Sequence, residues 1–148
     1  MKQKIYKLYQ IEEMVNKINE KLSIPEFELP SYGSGDDRRP SYVKVNKDGY
    51  LFFEFDPYKD KKNQHLTIKT LDVNELLFEI FKAATRTMAS KYELENRIPD
   101  QDTRIVLFKK HIEILHSLEL EKEFINRLSD YYDYLLHLKK PLPIPETW

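Results

Sequence analysis

Apolar residues recur at three- and four-residue steps near both ends of this 148-residue chain, but between Tyr42 and Thr70 they alternate in twos. Those two periods belong to helices and strands respectively, and their segregation along the chain limits the architecture to a few choices. Tyr42-Val43-Lys44-Val45 and Tyr50-Leu51-Phe52-Phe53-Glu54-Phe55 flank Asn46-Lys47-Asp48-Gly49, a hairpin signal. Leu51, Phe53 and Phe55 share one face of the second strand, while Tyr50, Phe52 and Glu54 give the other a partly polar character. After the charged connection 56–63, His65-Leu66-Thr67-Ile68-Lys69-Thr70 reads as a third strand with Leu66 and Ile68 on one side. A three-stranded antiparallel sheet over residues 42–70 accommodates all of this.

Helical periodicity brackets that sheet. Ile5, Leu8, Ile11, Val15, Ile18 and Leu22 mark a first helix over 1–22, which Ser23 and Pro25 end. Residues 23–41 hold Pro25, Pro30, Pro40 and Ser31-Tyr32-Gly33-Ser34-Gly35 and read as a loop, long for a compact domain, as functional or mobile loops are. Asp72 followed by Glu75 caps a second helix with Leu77, Phe81, Ala84, Met88 and Tyr92 in one stripe, broadened by Val73, Leu76 and Ile80. A third helix starts near Asp102 and shows Ile105, Phe108, Ile112 and Leu115, widened by Leu107, Ile114 and Leu118 to the breadth expected of a central helix. A fourth presents Phe124, Leu128, Tyr131 and Leu135 and ends before Pro141, leaving 141–148 as an extended, proline-rich tail. The expectation is one α+β domain: an N-terminal helix, a three-stranded antiparallel sheet, then three packed helices over 71–140.

Several functions are disfavoured before any motif is sought. Lys and Arg number 24 against 25 Asp and Glu, giving a net charge of −1, and no stretch collects one sign, so no field draws nucleic acid or anionic membrane to the chain. Cysteine is absent, which removes disulfides, thiolate chemistry and zinc–thiolate sites. The basic start at Lys2 and Lys4 meets Glu12, Glu13 and Lys17 where a signal peptide needs an apolar run, and no segment approaches the ~20 apolar residues that span a bilayer. A soluble cytoplasmic protein is the expectation.

Catalytic and metal constellations fare poorly. Glu113 and His116 have the Glu-x-x-His spacing of carboxylate-bridged metal bundles, but no second such pair exists. His111 and His116 project about 140° apart on a helix and do not chelate together. Asp133 with His137 suits a helix C-terminus, and His65 stands alone. No Gly-x-Ser-x-Gly elbow frames Ser31, Ser34 or Ser41, and the Gly33-Ser34-Gly35 run lacks the rest of a phosphate-binding loop. No catalytic residue, metal ligand or cofactor site is expected.

The densest polar group is Tyr92-Glu93-x-x-Asn96-Arg97 followed by Asp102-x-Arg104, where one helix hands over to the next. Such a set serves either as an anion clamp or as a charge-assisted network joining two helix ends, and the second is the simpler reading. Together with the acidic, Leu-rich stretch 71–81, Ala89-x-x-Tyr92-Glu93 and Phe108 through Leu115, this order resembles the immunity protein 63 family over residues 42–118. The insert Asp56–Lys62 and His111, where the family often shows Gln, depart from the pattern. The resemblance implies a non-catalytic protein of a bacterial polymorphic toxin system whose partner is a cognate toxin domain; a scaffold or adaptor for another protein is the alternative. For a partner-binding patch the residues favour Tyr32 with Asp36, Asp37, Arg38 and Arg39, and Tyr58 with Asp60, because these aromatic and charged groups sit on loops. The toxin's activity and the oligomeric state are not legible.

Overall fold

The alternating stretch becomes the centre of a sheet, with helices stacked on one side of it. A computed structural model describes residues 5–33, 39, 41–55 and 66–138. Helix α1 covers Leu8–Asn19 and buries Ile11 and Val15. It stops short of Leu22 because Asn19 turns its side chain onto the chain beyond: Nδ2 donates to the Ile24 carbonyl (3.0 Å) and Oδ1 accepts from the Ile24 N–H (2.8 Å). Ser23 takes a positive φ of 53° in that turn.

The segment 23–41, expected as loop, contains a 3-10 turn at Glu26–Glu28 and a short strand, β1, at Ser31–Tyr32. With β2 at Ser41–Val45, β3 at Leu51–Phe55 and β4 at Leu66–Thr70, the sheet has four strands in the order β1-β2-β3-β4. The expected three antiparallel strands are present, but β1 joins β2 in parallel, so the sheet is mixed. Two residues are too few to display a period, and the pairing depends on β2, about ten residues further on. Gly33 extends it by donating to the Val43 carbonyl at 2.8 Å.

The hairpin between β2 and β3 is set locally. Asn46 Oδ1 accepts from the N–H groups of Asp48 (3.0 Å) and Tyr50 (2.9 Å), and Gly49 adopts φ 88°, which a side chain would resist. In register, Phe53 lies between Val43 and Ile68, while Phe52 lies between Lys44 and Lys69. Val43, Leu51, Phe53 and Phe55 therefore line the inner, buried face.

Three helices follow: α2 at Val73–Glu95, α3 at Thr103–Ser117 and α4 at Lys122–His137. Asp72 caps α2 by accepting from the Asn74 N–H at 2.9 Å, and Asp102 caps α3 from the Arg104 N–H at 3.0 Å. The central helix is α2 rather than α3: it packs on β3, β4, α3 and α4, while α1 packs against β2. The buried sides of α3 and α4 are rotated from the sequence expectation. Arg104, Leu107, Phe108, His111, Ile114 and Leu115 face inward on α3, leaving Ile105 39% exposed. On α4 the inward residues are Ile125, Leu128, Tyr132 and Leu135, with Tyr131 exposed. Among the described residues no helix is long and apolar enough to cross a membrane.

Candidate functional site

The polar group at the end of α2 resolves into two separate pairs. Glu93 is buried, and Arg97 closes over it with Nε and Nη2 donating to the two carboxylate oxygens at 3.0 and 3.1 Å. That fork holds the exposed Arg97 guanidinium above its ordinary pKa. Asn96 ends the helix, its Nδ2 donating to the Tyr92 carbonyl at 2.9 Å, and the Tyr92 ring lies under Lys110 Nζ at 4.4 Å.

The second pair has a longer reach. Arg104 donates from Nε to both Asp102 oxygens at 3.1 Å and from Nη2 to Oδ2 at 2.7 Å, which keeps the Asp102 carboxyl below its usual range. Its Nη1 donates to the Leu135 carbonyl at 3.2 Å, so this buried arginine ties the start of α3 to the last turn of α4. No ion pair joins the two sets among the described residues. Each guanidinium is engaged with its own carboxylate: Arg97 closes the end of α2, and Arg104 joins α3 to α4.

The polar cluster that the sequence did not reveal lies under α2. His111 is fully buried, with Nδ1 2.6 Å from the Tyr132 hydroxyl and Nε2 3.0 Å from both the Lys82 carbonyl and Thr85 Oγ1. A carbonyl only accepts, and the Thr85 hydroxyl already donates to the Phe81 carbonyl at 2.6 Å, so the ring proton belongs on Nε2. Nδ1 then accepts from Tyr132. Burial lowers the His111 pKa to about 4, and the nearby cations Arg86 and Lys82 push the same way, while the bond to the Lys82 backbone opposes it. Burial likewise raises the Tyr132 phenol. The Tyr132 ring stacks on Phe108 with centroids 3.9 Å apart. The signal available in the sequence was the stripe 104-107-108-111-114-115-118, which puts a histidine in line with core residues.

Tyr32 pairs with Val43 in register and so lies on the inner side of the sheet. Its hydroxyl is buried and has no hydrogen-bond partner among the described residues, and burial raises its pKa. Beside it a cavity of about 330 Å³ is lined by Glu12, Asn16, Asn19, Glu26 and Arg39 among others; Arg39 donates to the Pro30 carbonyl (2.9 Å) and to Glu26 (2.8 Å). Asp36, Asp37, Arg38, Tyr58, Asp60 and His65 lie outside the described residues, as does the tail 139–148.

Among the described residues the opposite side of the sheet is partly exposed. Tyr42, Glu54 and Thr67 form one cross-strand row and Lys44, Phe52 and Lys69 the next. The aromatics and Glu54 are partly buried; both lysines and Thr67 are exposed. Lys44 Nζ sits 4.9 Å from the Tyr42 ring centre, and Lys69 Nζ sits 4.3 Å from Tyr50 and 5.9 Å from Phe52. Elsewhere, Tyr131 and Tyr134 stack on the exposed side of α4 with centroids 6.4 Å apart.

Among the described residues no group of three His, Asp or Glu side chains is placed to hold a metal ion. The family model described as Immunity protein 63 matches residues 58–133, just over half of the chain, taking in β4, α2, α3 and most of α4. No curated protein and no solved structure matches it.

Proposed function

This chain belongs to the immunity protein 63 family, and we propose that it neutralises a cognate bacterial toxin by binding it in the cytoplasm of the producing cell. The family match carries the reading. The described geometry supports a binding role over a chemical one, because the polar side chains nearest to a site are engaged with one another. Arg97 and Arg104 are matched to carboxylates, and His111 is enclosed in the core with both ring nitrogens occupied. A buried, fully bonded imidazole of depressed pKa serves packing specificity, with no surface through which to meet a substrate.

Neutralisation by binding requires a surface that anchors aromatic groups within a polar rim, and the chain exposes such groups on the sheet and on α4. The test is co-expression with candidate toxin domains from the reading frames that neighbour this chain's gene. Cells carrying both survive, and the purified proteins form a stable complex by calorimetry. Growth arrest despite full expression of this chain, with no complex formed, would refute the reading.

A further inference from the structure

We propose that the outer face of the sheet, centred on Tyr42, Lys44, Tyr50, Phe52 and Lys69, seats the toxin, and that the toxin presents carboxylate side chains to it. This rests on the immunity-protein reading above and adds the place and the chemistry of contact.

The face has three properties of an interface centre. Among the described residues the helices leave it uncovered, packing instead on the side of Val43, Leu51, Phe53 and Phe55. It is aromatic, where the solvent side of an antiparallel sheet ordinarily carries polar residues. It also holds two ammonium groups over aromatic rings, which restricts long lysine side chains before a partner arrives and so lowers the ordering cost of binding. Neither Lys44 nor Lys69 is paired with a carboxylate among the described residues.

Charge selects the occupant. Among the described residues of this face two lysines stand against Glu54, a positive balance in a chain of net charge −1. A second copy docking face to face would oppose lysines to lysines, whereas a carboxylate-bearing partner satisfies both. Nucleic acid is disfavoured because Glu54 stands in the row beside Phe52 and two cations supply little of the phosphate neutralisation that such binding needs. A partner contributes about 20–30 residues to a stable complex, so these five residues form the centre of a wider footprint.

The test uses the full chain and the toxin domain that the co-expression above identifies. Lys44→Glu/Lys69→Glu is expected to weaken binding by about 100-fold or more and to abolish protection, with an unchanged thermal midpoint. Lys109→Glu on the exposed side of α3 is expected to bind as wild type. On the wild-type complex, carbodiimide should join Lys44 or Lys69 to toxin carboxylates, a readout independent of how any variant folds. Native affinity of a folded Lys44→Glu/Lys69→Glu chain, or cross-links confined to other lysines, overturns the proposal while the immunity reading stands. Failure of the wild-type chain to bind the toxin overturns both. Binding of a single-stranded oligonucleotide that the double substitution abolishes, or dimerisation in sedimentation that it abolishes, assigns the face to nucleic acid or to a second copy and overturns it too.

Discussion

The Tyr132 hydroxyl donates to Nδ1 of His111 across 2.6 Å, joining α4 to α3 inside the core, while Nε2 of the same ring reaches back to α2 at Lys82 and Thr85. One neutral imidazole therefore links three helices, and its neutrality is a condition of the packing.

That condition makes stability depend on pH. The folded-state pKa of His111 is lowered to about 4, against an ordinary value of 6.5, so between those values the unfolded chain holds the extra proton. Stability is then complete above the unfolded value and falls as pH drops from about 6.5 towards 4, by roughly 3 kcal/mol if the whole shift is expressed. Denaturant titrations at pH 7.5, 6, 5 and 4 should show this slope. His111→Gln, which keeps a donor and an acceptor without a titrating group, should flatten it in that window.

Tyr132→Phe isolates one bond of the network. It preserves the stack on Phe108 but leaves His111 Nδ1 without its donor, at a cost of about 1–3 kcal/mol. Chemical denaturation measures the loss, and a value near zero would show that Nδ1 gains nothing from Tyr132.

Arg104→Ala removes three contacts with Asp102 and the brace to the Leu135 carbonyl, so we expect a loss of about 1–3 kcal/mol with toxin affinity retained. The Asp102 carboxyl is held below its usual range, so its contribution is present above that range and is lost as pH falls through the lowered value. An unchanged denaturation midpoint with lost binding would move Arg104 from framework to interface.

Glu93 and Arg97 should behave asymmetrically. The carboxylate is 4% exposed while the guanidinium is largely in solvent, so Arg97→Ala leaves a buried charge uncovered and lowers the thermal midpoint. Adding Glu93→Gln removes that charge and should recover part of the loss. A double-mutant cycle with strictly additive midpoints would rule the pair out as a coupled unit.

Tyr32 offers the opposite case. Its ring packs against the core and its hydroxyl is buried with no partner among the described residues, so Tyr32→Phe should leave stability unchanged or raise it, whereas Tyr32→Ala should lower the thermal midpoint. A clear loss in Tyr32→Phe would mean that the hydroxyl is bonded after all.

Sequence alone determined what depends on near neighbours. The order of elements, the inner row Leu51, Phe53 and Phe55, the hairpin at Asn46–Gly49 and the caps Asp72 and Asp102 all follow from residues within a few positions of one another, because alternation, turn geometry and capping are local. The polar group around Glu93 and Asp102 was visible for the same reason, with its partners four and two residues apart. Tertiary structure decided the rest. Whether Ser31 and Tyr32 form a strand depends on β2, and which sides of α3 and α4 turn inward depends on α2. His111 finds Tyr132 21 residues away and Lys82 29 away, and Arg104 finds Leu135 31 away. A polar residue in a helical stripe reads as exposed until such distant partners are in place, since only they offset the cost of taking it out of water.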